Sequence, residues 1–149
     1  MTETRACRIT PDPIDAQALL AEAISPSDGA ALLFWGVVRN EHDGRAVESL
    51  EYEAYAEMAE HQMQQIADEA RARFDTGRIA IAHRVGLLAV GEASVGIAVA
   101  APHRGQAYEA SRYVIEELKR RVPVWKREGY VDGERSWVPG YTPTVEKGD

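Results

Sequence analysis

The residues best suited to chemistry are the cations between positions 112 and 127: Arg112, Lys119, Arg120, Arg121, Lys126 and Arg127. They stand out because the chain is acidic, with 17 Lys and Arg against 24 Asp and Glu and a net charge of -7. Such a chain repels a phosphate backbone, so general nucleic-acid binding is disfavoured and the local cluster implies a smaller anionic ligand. Lys119 follows Leu118 at the edge of a helical apolar stripe, where its ammonium can lean over the apolar surface. Lys126 lies beyond Pro123 in an extended segment. Period-two alternation there puts Val124, Lys126 and Glu128 on one face and Trp125 with Arg127 on the other. Two lysines from different elements are thus able to converge on one pocket, where proximity and desolvation lower an ammonium's pKa toward the range of proton transfer. The plainer reading is the solvated cationic end of a helix, favourable beside its negative dipole end.

Other candidates are turns. Ala101-Pro102-His103-Arg104-Gly105 ends a buried strand and opens a helix, where N-terminal amides bind anions and where an exposed capping turn is the alternative. Arg39 ends the strand Phe34-Trp35-Gly36-Val37-Val38, as a surface charge or a phosphate fork, with Gly36 allowing close backbone approach. These three, Arg39, His103 and Arg104, are expected to form one phosphate pocket, built within one chain or with one segment from the second subunit of a dimer. His83-Arg84, inside a strand, is expected to pair structurally with carboxylates, and Glu116-Glu117 to be solvated. There is no Walker loop, GxGxxG, HExxH or GxSxG, so nucleotide hydrolysis, Rossmann binding, zinc proteolysis and serine hydrolysis lack their required parts. The lone Cys7 cannot form an intramolecular disulfide or, alone, a zinc site, which fits a reducing cytoplasm. No apolar run approaches the ~18 residues of a membrane span, so the protein is expected to be soluble and cytoplasmic.

These groups need elements to position them. With 149 residues the chain is expected to be one domain, 1–149. A short strand is predicted over 5–10 and a helix from Asp15 to about Ala23. A buried strand over Ala30–Val38 and an alternating strand over Ala46–Ala54 are expected to pair as a hairpin across Glu41 to Gly44. From Ala56 to Phe74, Ala59, Met63, Ile66, Ala67, Ala70 and Phe74 make a helical stripe, with Gly77 ending the helix. Ile79–Val85, Leu87–Val90 and Ala93–Ala101 are predicted as strands of one sheet. A second helix, about Gly105 to Arg121, buries Ala107, Ala110, Ser111, Val114, Ile115 and Leu118, and an extended Val124–Glu128 follows Pro123. The sum is an α+β fold whose sheet is covered by helices on one side, with 139–149 a mobile tail or one ordered by a partner.

Across about Gly29 to Trp137 the chain resembles the large, catalytic subunit of molybdopterin synthase. The resemblance rests on Phe34-Trp35-Gly36-Val37-Val38-Arg39-Asn40, Leu50-Glu51-Tyr52-Glu53-Ala54-Tyr55 with Met58-Ala59, His83-Arg84-Val85-Gly86 and Gly91-Glu92. It continues in Ala101-Pro102-His103-Arg104, Leu118-Lys119 and the specific segment Val122-Pro123-Val124-Trp125-Lys126-Arg127-Glu128. That resemblance implies an α/β hammerhead-type fold with an antiparallel or mixed sheet and two main helices. It also implies a homodimer within a heterotetramer, and a small ubiquitin-like sulfur-carrier subunit with a C-terminal Gly-Gly thiocarboxylate. The implied reaction inserts two sulfurs into cyclic pyranopterin monophosphate to give molybdopterin, with no cofactor or metal of the enzyme's own. Catalytic roles fall on Lys119 and Lys126. Substrate-binding roles fall on Val37, Val38, Arg39, His103, Arg104, Arg127 and Glu128. The competing readings are a noncatalytic anion- or acidic-tail-binding module and a Schiff-base lyase using Lys119.

Overall fold

The computed structural model describes residues 6–138, so the tail expected over 139–149 lies outside the described residues. The elements are β1 (Cys7–Thr10), α1 (Ala16–Ala23), β2 (Ala30–Val37), β3 (Glu41–His42), β4 (Arg45–Ala54), α2 (Ala56–Phe74), β5 (Ile79–Arg84), β6 (Gly86–Ala89), β7 (Ala93–Ala101), α3 (Arg104–Arg121), β8 (Val124–Tyr130) and β9 (Arg135–Val138). Each helix starts and stops for a local reason. The Asp15 side chain accepts from the Ala18 amide at 3.1 Å and opens α1. α2 ends at Phe74 because Asp75 turns left-handed (φ 56), two residues before the Gly77 that the sequence suggested. Gly77 is instead in close packing, its missing Cβ 3.0 Å from Asp28 Oδ1. Pro123 follows α3, whose last turn holds Lys119, Arg120 and Arg121 against the negative dipole end.

The strands form two sheets rather than one. The first has the order β1-β5-β7-β2, with β1 parallel to β5 and the other pairs antiparallel. The second has the order β3-β4-β8-β9, with β6 also on β4. The expected β2–β4 hairpin does not form. β2 pairs with β7 along its whole length, and the tight turn at Asp43-Gly44 closes β3 onto β4 instead. Asp43 and Gly44 both take positive φ, the geometry a two-residue hairpin turn needs. β6, expected beside β5 and β7, leaves their sheet at Gly86 (φ 102) to pair with β4. The simple alternation read along β4 also fails at its start. A register shift between Val47 and Ser49 opposite β8 puts buried Val47 and Leu50 three residues apart.

Helices cover both faces of the first sheet, which corrects the one-sided arrangement. On one face α2 and α3 enclose the main core, where Met63, Ile66, Ile97, Val99 and Val114 are fully buried. On the other, α1 lays Leu19 and Ala23 over Ala80, Ala82, Ala98 and Ala100. The alanines explain the fit: small residues on alternate positions of β5 and β7 let a two-turn helix sit close. At Gly96 a Cβ would stand 2.8 Å from Leu19. Val38, Leu50 and Leu88 form a smaller cluster where the second sheet begins.

Candidate active site

A cleft of about 640 Å³ opens where the main core meets the second sheet. Its apolar wall is the end of the first sheet, with Phe34, Gly36 and Val95, and the last turns of α3 with Ile115 and Leu118. A Cβ on Gly36 would lie 2.7 Å from Val95, so only glycine lets β2 and β7 close that wall. Its polar wall is β8 and the β2–β3 connection, with Lys126, Glu128, Arg39 and His42. Lys119, from the last turn of α3, completes it. The two lysines singled out in the sequence therefore do converge, one from a helix and one from a strand.

Their cationic neighbours do not. Arg112 pairs with Glu116 at 2.9 Å, and Arg120 with Glu117 at 3.2 Å. Arg121 lies between Glu69 (2.8 Å) and Glu117 (3.2 Å). Arg127 faces away from the cleft, paired with Glu51 directly across the β4–β8 ladder and 5.2 Å from the Trp137 ring centroid. Among the described residues, Lys119 and Lys126 make no ion pair. Glu116 is solvated as expected, but Glu117 is only 16% exposed and is held between Arg120 and Arg121.

Burial pulls the Lys126 ammonium below the usual lysine range. The nearby charges of Lys119 and Arg39 act in the same direction, while Glu128 opposes them. Glu128 is 3% exposed, the most buried carboxylate here, and accepts from the Tyr130 hydroxyl at 2.6 Å. His42 Nδ1 is 3.6 Å from its other oxygen. Tyr52, opposite Lys126 on β4, is raised by burial while its hydroxyl bonds Ser94. Together these groups form a partly dry cationic cleft with one buried carboxylate, suited to an anionic ligand and to proton transfer by an amine.

Arg39 lines this cleft and also a second cavity of about 490 Å³ with Val37, Val38 and Gly91. Val37 is exposed in the cleft wall, but Val38 is buried and its backbone is already used. Its amide donates to Glu92 O at 3.0 Å, and its carbonyl accepts from Gly91 N at 2.9 Å. Val38 thus has no amide left for a ligand. His103 and Arg104 are exposed at the opposite end of α3, the His103 amide bonded to Gln106 Oε1 at 3.2 Å. Fifteen helical residues separate Arg104 from Lys119, about 22 Å along the axis. The expected single pocket of Arg39, His103 and Arg104 is therefore not formed within one chain. His83 was also read differently from where it lies. Arg84 does meet a carboxylate, Glu92, at 3.6 Å, but His83 bonds the Arg84 carbonyl and lines the cleft. Tyr52, His42 and Ser94 were not singled out at all; their positions come from strand pairing between the two sheets.

A family model described as MoaE protein matches residues 9–121. The chain belongs to that family. The molybdopterin synthase catalytic subunit of Thermoplasma volcanium is 43% identical over 129 residues, 87% of this chain and 94% of the relative. Molybdopterin synthase from Staphylococcus aureus superposes with a TM-score of 0.86 at 38% identity, over 91% of this chain and 98% of that one. A complex of subunits 1 and 2 of molybdopterin-converting factor from Helicobacter pylori shares the fold at 22% identity, with a TM-score of 0.74. This MoaE family member is accordingly an enzyme of molybdenum cofactor biosynthesis, and the noncatalytic-module reading falls. Cys7 lies in the main core and not in the cleft lining, with burial and the charge of Asp68 pushing its thiol up to about 12.

Proposed function

We propose that the cleft transfers sulfur from the thiocarboxylated C-terminus of a small carrier protein to cyclic pyranopterin monophosphate, giving the dithiolene of molybdopterin. The observation that carries this is the convergence of Lys119, Lys126 and Arg39 on one partly dry cleft while the surrounding arginines are held by carboxylates. A thiocarboxylate tail and a phosphate are both anions, and the unpaired cations supply their recognition. Sulfur attack on a side-chain carbon needs proton transfer and stabilisation of developing charge. Lys126, held below the ordinary lysine range, supplies the proton transfer, and the neighbouring cations supply the charge stabilisation. Each thiocarboxylate brings one sulfur, so two carriers are consumed per product.

Lys119 and Lys126 are the catalytic groups in this reading, with Arg39 and Glu128 at the substrate. His103 and Arg104 join from a second copy, since they lie about 22 Å from Lys119 along their own α3. The carrier reading is supported by the subunit complex known for the Helicobacter pylori fold relative. A cytoplasmic location belongs to the same proposal. A buried, unreactive thiol fits it, and no helix among the described residues is long and apolar enough to cross a membrane. Incubation with the pterin precursor and a thiocarboxylated carrier, followed by assay for dithiolene, tests the function directly. Absence of dithiolene with both substrates bound refutes it. A Schiff-base route through Lys119 would be trapped by borohydride and a carbonyl substrate, whereas sulfur transfer would not.

A further inference from the structure

His83 has no place in the cation cluster. It closes the row Ile79, Ile81, His83 on the inner face of β5, where the main core gives out into the cleft. Its Nδ1 lies 2.9 Å from the carbonyl oxygen of Arg84. A carbonyl only accepts, so Nδ1 carries the proton and donates it. Burial keeps the ring neutral, with its pKa down at about 4; the bond to Arg84 opposes this and the charge of Lys126 adds to it. A neutral imidazole has one N–H, and with that on Nδ1, Nε2 is left as an acceptor. The Tyr52 ring meets the imidazole edge-on, with centroids 5.2 Å apart at 69°. Tyr52 in turn stands directly opposite Lys126 across β4 and β8. Side chains so paired share a face with Cβ atoms about 4.5–5.5 Å apart. His83 and Lys126 therefore flank the same tyrosine on the floor of the cleft, one from each sheet.

We propose that His83 is a positioning residue for Lys126: Nζ, which does not bond the ring in this structure, turns within the shared cleft to donate a hydrogen bond to Nε2 and is held there. Of the cleft cations, Lys126 is the one whose charge bears on this ring. The other charged or titratable groups around it are Arg39, Lys119, Glu41, Glu128, His42 and Tyr52 in the cleft. Arg84 adjoins it in sequence, and Glu60 of α2 bonds the amide of Ile9, its partner on β1. The consequence for turnover rests on the catalytic reading of Lys126, but the contact itself does not.

The test has an arm for each. In the wild-type protein, nitrogen-15 shifts of the imidazoles report the tautomer. A neutral Nδ1–H ring at His83 from pH 5 to 8 is expected, and an Nε2–H ring, or one titrating near the ordinary histidine value, overturns the proposal. Carbon-13 labelling at lysine Cε then follows the titration of Lys126 in His83→Phe and His83→Gln. Loss of an acceptor that favours the ammonium lowers the Lys126 midpoint further, by about one unit in His83→Phe. His83→Gln, which keeps an acceptor oxygen, stays near wild type. Equal midpoints in wild type and folded His83→Phe overturn the contact. In the dithiolene assay His83→Phe is expected to lose about tenfold in kcat, the rate equivalent of one such hydrogen bond, with His83→Gln restoring most of it. Should the wild type make no dithiolene, the functional reading fails while the titrations still judge the His83–Lys126 contact.

Discussion

The two ends of α3 carry the same kinds of side chain and have different fates. At the C-terminal end, Lys119 meets β8 and the β2–β3 connection, so elements from both sheets surround a cleft and desolvate Lys126. At the N-terminal end, His103 and Arg104 stand exposed, with only the Gln106 side chain closing the His103 amide. A cation becomes chemically useful where other elements exclude water from it and leave it without a carboxylate. Against the C-terminal end it is Lys126, on β8, that meets both conditions, half-buried and without an ion pair, while Lys119 itself stays exposed in the cleft lining. The N-terminal end meets them only if another molecule supplies the missing wall.

The largest effect expected from breaking this contrast is at the C-terminal end. Lys126→Ala and Lys119→Ala should each lower sulfur transfer by about 10²–10⁴-fold, the range for a lost acid–base group, with unchanged thermal unfolding. Near-normal dithiolene formation by either variant removes it from the chemistry. The N-terminal end is sharpened by mixing inactive Arg104→Ala and Lys119→Ala protomers. A site built from both copies recovers about a quarter of wild-type turnover after random exchange, because each heterodimer has one intact site. The Arg39→Ala and Lys119→Ala mixture should recover none, since both residues line the same cleft of one chain. Recovery in that second mixture would break the assignment of Arg39.

A different contrast separates cleft from core. Met63→Ala, at a fully buried α2 position, is expected to cost about 2–5 kcal/mol in chemical denaturation while turnover per folded molecule is kept. His83 lies between these extremes, and pH reads it. Its folded-state pKa, about 4, is below the ordinary 6.5 of the unfolded chain, so the unfolded state binds the extra proton first. The stabilisation is present above about 6.5 and lost as pH falls toward about 4, a total on the order of 3 kcal/mol. Denaturation of wild type and His83→Gln across that range checks it: the wild-type curve should fall more steeply. The smallest effect belongs to Arg127→Ala. It removes a part-exposed pair with Glu51 on the far side of β8, costing under about 1 kcal/mol and leaving turnover within about twofold.

The sequence by itself determined the local elements and the chemistry of the site. The stripe from Ala59 to Phe74 located α2 because its period is local, although the stop came from left-handed Asp75 rather than from Gly77. The runs Ala93–Ala101 and Ala30–Val38 emerged as strands with at most one residue of difference. The cationic cluster and the two lysines were legible because charge against an acidic background is a property of composition. Partner choice was not legible. Whether β2 pairs with β4 or β7, and whether β6 stays with β5, depends on which edges meet in space, and a short apolar strand fits either. The same limit governs the site. Arg127 and Lys126 are neighbours of nearly identical charge, and strand alternation separates their faces. Only the tertiary structure decided that one face carried Glu51 and the other a water-poor cleft. It was likewise packing between two sheets that turned His83 from an expected ion-pair partner into a buried, neutral ring at the cleft, because burial is set by everything that surrounds a residue rather than by its neighbours in the chain.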